Sequence, residues 1–188
     1  MKTKEKIIQD LIDLKKAFEY VGLSFFIQEG GVLGYGRHKD IMDHDFDIDI
    51  GSTAEPNNKQ KTSLYHALMA KGWSNIIPRD DFDFARRLVS LNIWWWHKEG
   101  DFYVGRPSST PGKIFIMKAK WFDDPVEGLY PFGNFAIPNN HKDYLDHRYG
   151  KDWRNTVFDN DKDWKKEEQF RKNSGNWDMW PKHSWEEV

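Results

Sequence analysis

The run Asp43-His44-Asp45-Phe46-Asp47-Ile48-Asp49-Ile50-Gly51 places an aspartate at every second position from 43 to 49. In an extended strand this period sends Asp43, Asp45, Asp47 and Asp49 to one face. Phe46, Ile48 and Ile50 fall on the other, which is therefore expected to be the core face. Carboxylates two residues apart on a strand lie only about 7 Å from each other. Their repulsion raises their pKa values, and aspartate is a poor strand former besides. A divalent cation reverses both penalties. Mg²⁺ and Mn²⁺ take oxygen ligands, and Mg²⁺ typically bridges one or two carboxylates to substrate phosphates. The strand thus implies metal-assisted phosphate chemistry; the alternative is a solvated face with no ligand.

Upstream, Ser24 to Gln28 reads as a short strand, broken by Gly30-Gly31, with a short helix over Val32 to His38. Glycines opening a helix expose backbone N–H groups at its positive end, a setting suited to phosphate. Arg37, His38 and Lys39 add cationic donors, and Arg37 is the candidate for a bidentate phosphate contact.

Around this centre, Lys4 to Tyr20 has the three- and four-residue apolar spacing of an amphipathic helix closed by Gly22. Asn57 to Lys71 and Asn140 to Tyr149 also read as helices. Phe82 to Phe84, Arg87 to Trp96, Asp101 to Val104 and Lys113 to Met117 read as strands. Asp101 to Val104 is expected to pair with the strand before it, across a turn at Glu99-Gly100. The order predicts a mixed α/β (α+β) domain over residues 1–155, with helices flanking the sheet. A Trp-rich extension over 156–188 is expected to pack on the same domain.

With 188 residues the chain is the size of one domain. It has no cysteine, which removes disulfides, thiolate metal sites and cysteine nucleophiles. A formal net charge of −2 argues against binding nucleic acid by bulk charge. No apolar run approaches the roughly 20 residues of a transmembrane helix, and the charged N-terminus does not read as a signal peptide. A cytoplasmic chain is expected.

Residues Glu29 to Lys39, followed by Asp45-Phe46-Asp47-Ile48-Asp49-Ile50, resemble the LicD family, which includes bacterial phosphocholine transferases and fukutin-like proteins. That pattern has a glycine-rich start, a Leu-Gly pair, an Arg and then an Ile-Pro-Trp-Asp-Asp-Asp-Ile-Asp-Ile type run. A second segment, Phe135-Ala136-Ile137-Pro138-Asn139, then Tyr144-Leu145 and Tyr149-Gly150-Lys151-Asp152-Trp153, is similar to the family's Ile-Pro, Tyr-Leu and Tyr-Gly-x-x-Trp sequence. The resemblance implies a nucleotidyltransferase-like mixed sheet. It also implies Mg²⁺- or Mn²⁺-dependent transfer of phosphocholine or a polyol phosphate from a CDP-linked donor to a glycan hydroxyl. By position, Asp47 and Asp49 match the metal-binding pair, Asp45 is a third acidic member, and Gly30 and Gly31 match the glycine turn.

This chain departs from the pattern at Asp43-His44, where the family often has Pro-Trp, and at Phe46, which replaces the middle Asp. A later strand often supplies a third carboxylate, but here that position holds Asn92, a neutral and weaker ligand. Asp81 and Asp83 are substitutes by position, and His44 and His97 are candidates to lie near the metal. Two other functions fit the same residues: a nucleotidyltransferase that transfers the nucleoside monophosphate itself, and an inactive, Trp-rich glycan-binding module.

Other features have readings of both kinds. Trp94, Trp95 and Trp96 are either core or a stacking platform, and the later tryptophans either wrap the domain or present a glycan surface. Arg86, Arg87, Lys113, Lys118 and Lys120 are either a basic wall for phosphates or solvated surface. No i, i+4 histidine pair supports a zinc site.

Overall fold

A computed structural model describes residues 3–43, 45–78, 81–106 and 114–154, without the side chain of Phe82. The elements in chain order are α1 (Thr3–Tyr20), β1 (Phe26–Ile27), α2 (Glu29–His38), β2 (Asp47–Ser52) and α3 (Asn58–Ala70). Strands β3 (Ser74–Ile77), β4 (Phe82–Arg86), β5 (Ser90–Trp95), β6 (His97–Glu99), β7 (Phe102–Gly105) and β8 (Phe115–Lys118) follow. The chain continues through α4 (Ala119–Phe122), β9 (Val126–Tyr130), β10 (Gly133–Ile137), α5 (His141–Tyr149) and a 3₁₀ turn over Lys151–Arg154.

Among the described residues, a mixed five-stranded sheet runs in the order β1-β2-β5-β4-β3, and β2 pairs parallel with β5. One face is the core. Ile48 and Ile50 of β2, Leu91, Ile93 and Trp95 of β5, and Ala85 of β4 are buried there. Helices α1 and α3 cover it: the Phe18 ring of α1 stacks near Trp95, and Lys61 of α3 lies over the same indole. Helix α1 contributes Ile7, Leu11, Leu14, Ala17 and Phe18, one stripe at helical spacing. Asn57 caps α3 with a reciprocal bond pair to Gln60, so this helix starts where its sequence says it should.

The other sheet face is half-open. It carries Asp47 and Asp49, then Ser90, Asn92 and Trp94, then Phe84 and Arg86, aligned across three neighbouring strands.

Several expectations need correction. The acidic strand begins at Asp47, not Asp43: the Asp45 N–H donates to the Met42 carbonyl, a turn that ends the alternation. Phe46 precedes the strand and is 62% exposed, so it is not a core residue. Gly30 and Gly31 lie inside the first turn of α2 rather than ahead of it. Strand β7 pairs with β6 and β8 in a separate sheet instead of with β5, because β5 already has β2 and β4 as its two neighbours. The β9–β10 hairpin and β3 were not expected. Trp164, Trp177, Trp180 and Trp185, with the rest of 156–188, lie outside the described residues, as do His44 and Lys113.

Candidate active site

Strand register sets the centre of the site. Asp49 of β2 and Asn92 of β5 are direct partners, so their side chains share a face. The Asn92 amide donates to Asp49 Oδ1 at 2.9 Å and to Asp47 Oδ2 at 3.4 Å. Both aspartates are half-buried. Burial pushes the Asp49 carboxyl well above its ordinary range, and the charges of Asp47, Glu29 and Asp45 push the same way, while the Asn92 bond opposes them. Asp45, Asp47 and Asp49 are thus close enough to sense one another. Even so, no three His, Asp or Glu side chains among the described residues stand as a ready ligand set.

Asp45 has a different setting from its neighbours. Its carboxylate lies against Gly30, where an added Cβ would sit 3.0 Å from Asp45 Oδ2. It also accepts from the Phe46 N–H at 3.2 Å. A carboxylate at a helix N-terminus is favoured by the helix dipole, so the anion-attracting end of α2 holds Asp45. Gly31 serves packing instead. A Cβ there would collide with the Ile27 side chain, so this glycine lets α2 pack on β1.

Glu29 opens α2 with a left-handed backbone, φ 48°. That conformation is costly outside glycine, and α5 holds it. Tyr144 Oη donates to Glu29 Oε1 at 3.0 Å and accepts from the Glu29 N–H at 3.3 Å. Arg148 grips both carboxylate oxygens at 2.9–3.2 Å. The sequence reading missed Glu29, Tyr144 and Arg148 as site residues. Their partnership spans more than a hundred positions and leaves no local signal.

The cations upstream are not gathered here. Arg37 Nε donates to the Trp153 carbonyl at 2.7 Å, which ties α2 to the 3₁₀ turn. His38 and Lys39 sit at the far end of α2, about 13 Å along the axis from Gly30. Lys39 Nζ lies 4.0 Å from the Tyr35 ring centroid. His97 is five residues beyond Asn92 and pairs with Asp81 at 2.8 Å and Glu55 at 3.5 Å. Asp83 pairs with Ile93 and so faces the helices, on the sheet side away from Asn92. It accepts from Tyr65 and Trp95, each at 2.7 Å. Neither Asp81 nor Asp83 replaces the missing third carboxylate. Arg87 is taken by Asp13 at 2.6 Å, whereas Arg86 is exposed on the same face as Asp47, two strands away. Trp95 and Trp96 are core, and Trp94 stacks on Trp96 with centroids 5.3 Å apart.

The profile of the LicD/FKTN/FKRP nucleotidyltransferase domain matches residues 22–171. The chain belongs to the LicD family. The match takes in both segments that carry the resemblance: α2–β2 with its aspartates, and α5 with the turn that carries Trp153. No curated protein sequence matches the chain. Among solved structures, the lincosamide antibiotic adenylyltransferase LnuA bound to lincomycin is similar, with a TM-score of 0.52 and 13% identity. That similarity covers 80% of this chain and 97% of LnuA. ANT(2")-Ia in complex with adenylyl-2"-tobramycin follows at 0.49 and 14%, over 88% of this chain and 95% of that one. The likeness to LnuA shows the nucleotidyltransferase fold, and the LicD domain makes the chain a transferase. No helix among the described residues is long and apolar enough to cross a membrane.

Proposed function

We propose that this LicD protein moves a substituted phosphate, phosphocholine or a polyol phosphate, from a CDP-linked donor to a glycan hydroxyl. The observation that carries the reading is the Asp47–Asp49 pair, held side by side on β2 at the N-terminal end of α2 within a LicD domain. Two carboxylates whose charges oppose each other are a fitting donor set for Mg²⁺ or Mn²⁺. Asp47 and Asp49 would hold the ion, which when bound supplies charge neutralisation for a pyrophosphate and its leaving group.

The chain's own residues divide the remaining work. Asn92 orients both aspartates through its amide. Glu29, fixed by Arg148 and Tyr144, sets the α2 N-terminus against them. Asp45 lies beside them but is seated against Gly30. It takes the proton of the incoming hydroxyl as general base. Arg86, exposed on the same face, is the cation for non-bridging phosphate oxygens.

A second reading, transfer of the nucleoside monophosphate itself, is favoured by the LnuA-like fold, since that protein is an adenylyltransferase. Donors labelled separately in each half decide between them. Label from the choline or polyol half on the acceptor supports the first reading, and label from the nucleotide supports the second. Sugar binding that survives chelation and Asp47→Ala plus Asp49→Ala, with no donor turned over, would make the chain a binding module instead.

A further inference from the structure

We propose that this site is built for one divalent cation rather than two, and that Asn92 sets the number. The inference rests on the reading of Asp47 and Asp49 as cation ligands.

Two-ion phosphoryl-transfer centres hold their ions about 3.5–4 Å apart. Carboxylates are what hold them, since each ion brings two positive charges into a small volume. On this sheet the side chain directly across from Asp49 is an amide. Its Nδ2 donates to both aspartates, and an N–H donor cannot ligate a cation. Turned over, its oxygen is neutral and adds no charge to hold a second ion. Asp47 and Asp49 together balance one dication, whereas an aspartate at 92 would supply the third charge.

The remaining acidic groups nearby do not fill the gap. Glu29 is bound on both oxygens by Arg148 and on one by Tyr144. Asp45 is seated against Gly30 and the Phe46 N–H. Asp83 faces the opposite side of the sheet, where Tyr65, Trp95 and Lys61 hold it. Among the described residues no set of three carboxylate or imidazole ligands results.

The test is a titration of the full chain with Mn²⁺ alone, read by loss of the free-ion electron paramagnetic resonance signal. The wild type is expected to bind one Mn²⁺ per chain. Asn92→Asp is expected to bind two, with a lower melting temperature in chelator and a larger Mn²⁺-induced rise. Asn92→Ser, which removes the amide without adding charge, is expected to keep one and serves if Asn92→Asp does not fold. Two ions in the wild type, or one in a folded Asn92→Asp variant, overturns the inference and leaves the proposed function standing. No Mn²⁺ bound by folded wild-type chain overturns both.

Discussion

Arg148 of α5 reaches back across the chain to hold both carboxylate oxygens of Glu29, the residue that opens α2 in a left-handed conformation. Both side chains are mostly enclosed, so removing one partner strands a charge. Arg148→Met is expected to cost about 3 kcal/mol, near the low end for a buried pair because some water still reaches it. The stranded Glu29 charge also adds to the repulsion on Asp49. Arg148→Met with Glu29→Leu is expected to recover much of the loss, and a double-mutant cycle by chemical denaturation measures the coupling.

The Asp49 carboxyl has its own signature in pH. Burial and then the charges of Asp47, Glu29 and Asp45 raise its pKa in the folded state. Between the unfolded and folded values the native state therefore holds more protons. Its contribution to stability is complete below the unfolded value and is lost as pH rises through the folded one. In chelator at neutral pH, Asp49→Asn is expected to melt above wild type. The difference between the two should shrink as pH falls into the ordinary carboxylate range. Melting curves across pH check this, and a difference independent of pH would contradict it.

Asp83 is acidic and close in sequence to the site, yet it belongs to the core. It accepts from Tyr65 and Trp95 and pairs with Lys61 at 3.4 Å. Asp83→Asn is expected to cost about 1–3 kcal/mol by weakening buried bonds, with Mn²⁺ affinity unchanged. Calorimetric titration and denaturant melts on the same preparation separate the two effects.

Gly36 is where the C-terminal half clamps α2. A Cβ there would lie 2.7 Å from Leu145 Cδ1 and 2.8 Å from the Trp153 ring. The Trp153 indole is further fixed by Asp146 at 2.6 Å. Gly36→Ala is expected to cost about 1–3 kcal/mol by overpacking, read as a lowered melting temperature.

What the sequence revealed was local. The apolar stripe of α1, the helical span of α3 and the Asp-Ile alternation of β2 each fit within one element, where side-chain spacing and burial coincide. Alternation misled at Asp43 to Phe46 because the backbone there bonds to itself in a turn, which residue types do not encode. Asn92 came into view only through the LicD resemblance, and the pairing that sets it across from Asp49 is a strand register that no local pattern announces. The roles of Arg37, His38 and Lys39 were not legible either. Helix length and the late Trp153 carbonyl decide where those cations end up. The Glu29–Arg148 pair was hidden for the same reason: long-range contacts have no period to read.

The most direct test of the account is the melting temperature of the full chain with CDP-choline and other CDP-linked donors, with and without Mn²⁺. A ligand that binds the native state at a hundred times its Kd adds about 2.7 kcal/mol. The account predicts a rise of several degrees for one donor in wild type, only when Mn²⁺ is present, and none in Asp47→Asn plus Asp49→Asn. An equal rise without metal, or in the double variant, would contradict it.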